Sequence, residues 1–307
     1  MRRAPEAGIL RAMPALHIFQ ILNHYTSREE LDPGFAVLDN SANERPDWYE
    51  YWPIRRFLLN EALDEDAFYG FLSPKFELKT SLNFALVRDF ILGSDSATEV
   101  VLLSPSIHNS AYYLNVFEHG DAEHPGLKQV ARRLFERLGV PSDLDSLVSD
   151  SRNTVHSNYF IAKPRFWRAW LAINEQMFAI AETPSDPLGE ALRTPTRYRG
   201  GNHVQMKIFI MERIATWLLT CDRSFAVRVR DPFVARSRLY KLPVAIMCDA
   251  LKIAFATQGR AQYKDVFLLV RGLRKLWNLQ IRLGGALGLR HVRPTLSVLK
   301  SYWLQQR

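Results

Sequence analysis

Four short apolar runs, ALHIFQILN (15–23), FYGFLSP (68–74), TEVVLL (98–103) and YFIA (159–162), each border a polar or proline turn and alternate with helical spacing. Runs this short cross a sheet once, and strands alternating with helices need those helices on the sheet faces. The pattern therefore predicts an α/β fold. Ligands in such sheets sit beyond the carboxyl ends of the strands. That directs attention to SPKF (73–76), SPSIHNS (104–110) and the turn at Asp39 and Asn40. The segment NTVHSN (153–158) precedes its strand, so it reaches the same rim only if that strand runs antiparallel to the others.

Helices are expected between these runs. Asp47 is placed to cap WYEYWPIRRFLLNEAL, and PKFELKTSLNFALVRDFILG reads as loop into helix closed by Gly93. Further helices are predicted at 111–118, 126–138, 142–149 and 164–181, with one short helix inside the loop 182–202. VQMKIFIMERIATWLLTCD (204–222) is apolar on most faces and predicts a buried helix. Beyond it, 243–259 reads as a helix ending at glycine. In 264–277, Val266, Phe267, Leu269, Val270, Leu273 and Trp277 are expected on one face.

With 307 residues, 47% hydrophobic and 23% charged, the chain can bury a sizeable core. Its longest apolar stretch, LPVAIMCDALKIAF, is broken by Asp249 and Lys252, short of the ~18 residues of a membrane span. The N-terminus has no continuous apolar run, so no signal peptide is predicted. Cys221 and Cys248 lack metal-ligand spacing and fit a reduced, cytoplasmic protein. Charge is uneven. From Cys221 onward there are 17 Lys+Arg against 4 Asp+Glu, and before it 23 against 28. A basic C-terminal third predicts an anionic partner: membrane phospholipid, nucleic acid or a phosphorylated substrate.

Each candidate residue has a functional and a plain reading. His156 and Asn158 would place a base and an amide on an acceptor sugar, or form a polar turn. Asp39, Asn40 and Arg45 would bind nucleotide or sugar, or make an Asx turn. Lys75 and Lys79, beside Ser73, would meet phosphate, or form a solvated loop. Trp48, Tyr51 and Trp52 would stack a ring, or belong to the core. Asp64 and Asp66 would ligate a metal, or form an ordinary acidic connection. His203 would contact phosphate at a helix start. Glu212 and Arg213 interrupt an apolar helix and need partners or a use. The P-loop, dinucleotide, Gly-x-Ser-x-Gly and His-Glu-x-x-His signatures are absent from the sequence.

Four stretches, in order, carry a resemblance: YEYWPIRRFL (49–58), DAFYGFLSPKF (66–76), NTVHSNYFIAKPRFWRAWL (153–171) and GGNHVQMKIFIMERIATWLL (200–219). Their order resembles that of bacterial capsule and exopolysaccharide proteins of glycosyltransferase-like type. Those have a Tyr-Trp-x-x-Arg/Lys helix and a strand running into a basic aromatic segment. A strand Asn-x-Phe-Ile-x-Lys then enters an aromatic helix, and a late helix carries Glu-Arg. The resemblance spans about residues 15–222. It implies a GT-A-like mixed sheet flanked by helices and stops before the basic, helical C-terminal extension, 223–307, that charge and pattern predict.

The resemblance further implies transfer of a sugar from a nucleotide-sugar donor to a polysaccharide or lipid-linked acceptor, with Mn2+ or Mg2+ as the metal it would bring. Here the sequence departs from the pattern. The strand ends in Ser73, Pro74 and Lys75 without an acid, and Asp64-Glu65-Asp66 lies ahead of it. Lys75, Lys79 and Arg88 would then supply the positive charge. One of His156, Glu212 or Asp39 would assist the acceptor. The basic tail would hold the enzyme peripherally on the inner face of the membrane. A non-catalytic saccharide-binding or nucleic-acid-binding protein is the alternative.

Overall fold

The computed structural model describes residues 14–105, 107–198, 203–233 and 242–286. In chain order the elements are β1 (Leu16–Asn23), β2 (Ala36–Asn40), α1 (Tyr51–Asn60), β3 (Phe68–Leu72), α2 (Phe76–Thr80), α3 (Phe84–Leu92), β4 (Val100–Leu102), α4 (Val116–Glu123) and α5 (Leu127–Arg137). They continue with β5 (Phe160–Ala162), α6 (Pro164–Glu182), α7 (Pro187–Arg193), β6 (Pro195–Arg197), β7 (His203–Gln205), α8 (Met206–Cys221), β8 (Val227–Val229), α9 (Leu242–Gln258) and α10 (Ala261–Ala286).

Six strands form one mixed sheet in the order β2-β1-β3-β5-β4-β8. β5 is antiparallel to both neighbours, whereas β1, β2, β3, β4 and β8 share one direction. The start of β5 thus joins the carboxyl ends of the other strands, which is the condition that NTVHSN had to meet. The strands β6 and β7 pair separately as a short ribbon.

Side chains alternate across the pleat and divide the core. Tyr69, Phe71, Val100, Leu102, Phe160 and Ala162 pack on the face covered by α1, α5, α6 and α8. Phe68, Leu72, Val101, Leu103, Tyr159 and Ile161 pack on the opposite face, under α2 and α3. Gly70 is needed where β3 meets β5, since a Cβ there would lie 2.7 Å from Ile161 Cγ1. Burial on both faces explains why these strands read as continuous apolar runs.

Several expectations change. Residues 142–149 form turns: Asp143 accepts from the Ser146 amide and hydroxyl, and the Asn115 amide donates to the Leu144 and Leu147 carbonyls. These side-chain bonds take the polar groups that a helix would have used. The helix expected at 111–118 starts only at Val116, because Asn115 caps the amides of Phe117 and Glu118. Asp47 does not cap α1; its carboxylate is held by Arg45 and Lys207. The boundary at 222 falls inside the sheet, because β8 pairs with β4.

The amphipathic face of α10 is split. Phe267 is buried with Ala111, Tyr112, Ala245 and Cys248, whereas Val266, Leu269 and Leu273 are exposed. Trp277 and residues 287–307 lie outside the described side chains. Among the described residues no helix is long and apolar enough to cross a membrane.

Candidate functional site

The buried helix α8 opens at one point. Every residue from Met206 to Thr220 is buried except Glu212. That break in an otherwise enclosed helix brings a carboxyl toward the rim of the sheet, where it meets the field of Lys79. A second carboxyl, Glu50, precedes α1 and senses both Lys79 and Glu212. Both are closely surrounded by protein yet retain some solvent contact.

The electrostatics follow from that position. Desolvation pushes Glu50 up to about 7; Glu212 adds to the rise and Lys79 opposes it. Desolvation also raises Glu212, against the pull of Arg213 and Lys79. A carboxyl poised near neutral pH can take or give a proton under working conditions.

Lys79 extends from the end of α2 and donates to Ser157 Oγ at 3.3 Å, with its ammonium 5.3 Å from the Tyr159 ring centre. The Tyr159 hydroxyl lies 2.5 Å from Ser73 Oγ, which ties β5 to the end of β3. Three largely exposed tyrosines sit near this rim: Tyr25 after β1, Tyr49 beside Glu50, and Tyr198 after β6. Glu50, Tyr49 and Tyr198 all act electrostatically on Tyr25, so the group is mutually close.

The backbone is strained at the same place. Ser157 and Asn158 have φ of 58° and 52°, and Tyr49 has φ of 48°. None is glycine, and each left-handed conformation costs about 1 kcal/mol or more. Two such residues in succession turn the chain sharply from His156 into β5. Asn158 Oδ1 is buried with no hydrogen-bond partner. Strain and an unsatisfied buried acceptor together mark a place shaped for something other than stability.

The sequence candidates divide. Lys79, Ser73, Asn158 and Glu212 come together at this rim. His156 lies next to it but faces the other way, with Nε2 2.9 Å from Ser110 Oγ and its ring 5.9 Å from that of His119. Burial, His119, Arg213 and Lys252 hold it down at about 3, so it is a poor base there. Lys75 is exposed at the start of α2.

The remaining candidates have other surroundings. Asp39 accepts from the Ser41 amide in an Asx turn and lines a shallow cavity of about 140 Å3 with Arg56 and Glu61. Asn40 is buried at the end of β2, where its carbonyl closes a turn with the Asn43 amide. Arg45 is engaged by Asp47 and Glu182. Trp48 and Tyr51 are fully buried and cannot stack a substrate, and Trp52 packs on Phe178 while donating to Glu44. His203 is exposed in the β6–β7 ribbon. Asp64 and Asp66 share one turn in which the Asp66 amide donates to Asp64 Oδ1, and it precedes β3, at the amino ends of the parallel strands and away from the rim.

Glu50, Tyr25, Tyr49, Tyr159 and Tyr198 were missed as site residues. Tyr49-Glu50 opens the first family-like stretch, but helical spacing absorbed it. Among the described residues no group of three or more His, Cys, Asp and Glu side chains could hold a metal ion. The two rim carboxyls share their surroundings with an ammonium group, a donor set that does not fit Mn2+ or Mg2+ on protein ligands alone. No protein-family model, no curated protein and no solved structure matches this chain.

Proposed function

We propose that this protein is a group-transfer enzyme of glycosyltransferase type, moving a sugar from a nucleotide-sugar donor to a hydroxyl of a saccharide or lipid-linked acceptor in surface-polysaccharide assembly. The observation that carries this reading is the convergence of Glu50, Glu212 and Lys79 at the carboxyl rim, with Glu50 held near neutrality. Glu50 accepts the proton of the acceptor hydroxyl. The acceptor oxygen bonds to the anomeric carbon as the bond from that carbon to the phosphate oxygen breaks, and its electron pair leaves with the diphosphate. Lys79 places positive charge beside the reacting groups, where it counts for more than in water. Exposed Tyr25, Tyr49 and Tyr198 offer apolar faces to sugar rings. These residues lie at the carboxyl ends of the parallel strands, where ligands of α/β sheets are accommodated.

The test is release of nucleoside diphosphate from a panel of nucleotide sugars with saccharide acceptors, with and without Mn2+, comparing wild type with E50Q. Acceptor-dependent release that E50Q abolishes supports the reading. Donor cleavage that is indifferent to E50Q, or no release from any donor, overturns it.

The same reading places the protein peripherally on the cytoplasmic leaflet. Ile246 and Met247 on α9 and Val266, Leu269 and Leu273 on α10 are exposed, in a region rich in Lys and Arg. Apolar insertion and about 1 kcal/mol per basic residue near anionic lipid act together. Vesicles containing anionic lipid should pellet the protein at low salt, and L269S/L273S should reduce pelleting. Equal recovery with neutral vesicles sinks this part.

A further inference from the structure

Behind the loop that carries Ser157 lies a second polar cluster, built of groups for which the carboxyl rim has no use. Arg213 is 9% exposed and makes no ion pair among the described residues. Its Nε donates to the Val116 carbonyl at 2.9 Å and its Nη1 to the Phe209 carbonyl. It fits there because residue 120 is glycine: a Cβ would lie 2.5 Å from Nε and 2.8 Å from Nη2. Lys252, 3% exposed, donates among the described residues only to the carbonyls of Tyr113 and Ser149. Two buried cations without a bonded carboxylate are expensive to maintain.

The acids on this side are engaged elsewhere. Glu118 binds Arg271 and the Leu114 amide, Asp249 takes the Ser151 amide, and Asp150 binds Arg152. Glu212 and Glu123 act on Arg213, and Asp249 and Asp150 on Lys252, only through space.

Two histidines complete the cluster. His119 and His156 are partly open to solvent, and His119 Nδ1 is buried with no partner. Ser110 Oγ donates to the Ile107 carbonyl, so it accepts from His156 Nε2. His156 Nδ1 is then the nitrogen left to take a proton. His124, stacked on Phe209, has its Nδ1 3.0 Å from the Arg197 carbonyl. Burial and the nearby Arg213 and Lys252 hold His119 down to about 4 and His156 to about 3, so both are neutral without a ligand.

We propose that His119, His156 and Arg213 form an oxyanion subsite for a diphosphate group, and that it receives the leaving diphosphate of the donor. The chain itself links the two clusters. His156 and Ser157 are consecutive, the first facing His119 and the second facing Lys79; Glu212 and Arg213 are consecutive and divide in the same way. Adjacent Cα atoms lie about 3.8 Å apart, so the two clusters are separated by little more than the width of the chain. An oxyanion would supply the missing counter-charge and favour protonation of both imidazoles. Its identification as the donor's diphosphate rests on the transferase reading; the subsite itself does not.

The test is calorimetric titration of the full chain with inorganic pyrophosphate, with inorganic phosphate and sulfate as comparators. Pyrophosphate should bind more tightly than either, and H119Q and H156Q should each weaken it at least tenfold while leaving the thermal transition cooperative. R213Q should abolish binding, but the histidine variants decide the matter if R213Q does not fold. No pyrophosphate binding, or binding lost in K79Q and untouched in both histidine variants, overturns the subsite. Pyrophosphate binding with the expected variant losses but no turnover of any donor leaves the subsite standing and removes the transferase reading.

Discussion

Two clusters of ionisable side chains draw on the same two segments, the approach to α1 and the helix α8, and differ in how their charges are matched. In the first, Arg45, Asp47, Glu182 and Lys207 satisfy one another, with Lys207 Nζ 2.7 Å from Asp47 and 3.9 Å from the Trp48 ring centre. In the second, Glu50 and Glu212 have no bonded cation among the described residues and are left with desolvation as their largest influence. The first cluster behaves as structure, because each buried charge has a partner. The second holds its charges in an unsatisfied state, which favours stability least and proton transfer most. Lys207 and Glu212 are five residues apart on one helix, so the difference arises from what each meets and not from local sequence.

The largest expected effect separates the clusters directly. E50Q should lower the transfer rate roughly 100- to 10,000-fold, the usual contribution of a general base, with the fold intact. A variant retaining most activity would move Glu50 into the structural class. In wild type, kcat/KM should rise with pH through an apparent pKa near 7.

Next comes the matched network. K207M should lower stability by about 2 kcal/mol, because Lys207 is 1% exposed while Asp47, at 33%, can recover water. Chemical denaturation measures this, and the rate per folded molecule should be unchanged. A rate loss comparable to that of E50Q would erase the distinction.

The pH dependence of stability has opposite signs in different groups. A carboxyl raised from 4.5 to about 7 binds an extra proton when folded, so its favourable contribution is present below 4.5 and lost as pH rises through 7. E50Q should therefore exceed wild type in stability above pH 7, with the gap closing toward pH 4.5. His119 and His156 are depressed and oppose this, losing stability as pH falls below 6.5. Only the difference between E50Q and wild type isolates the carboxyl. Equal stabilities at pH 8 would count against its desolvation.

The smallest effects concern the aromatic rim. Y25A and Y198A should each raise KM about 2- to 10-fold at unchanged kcat, the scale of one aromatic contact. A fall in kcat instead would assign these rings to the chemistry.

Sequence alone determined the α/β class, the four central strands, the buried character of α8 and the position of Glu212 as an interruption in it. These follow from local periodicity and from the cost of placing charge in an apolar helix, both readable along the chain. It also marked Lys79, Ser73 and Asn158, since strand ends are visible as turns. Only the tertiary structure decided the direction of β5, and with it whether NTVHSN belongs to the rim, because strand orientation is set by pairing and not by composition. Tertiary packing also brought Glu50 near Lys79 and Glu212, placed Trp48 and Tyr51 in the core, and turned His156 toward His119. Each of these depends on desolvation and neighbouring charge, which come from residues distant in the chain.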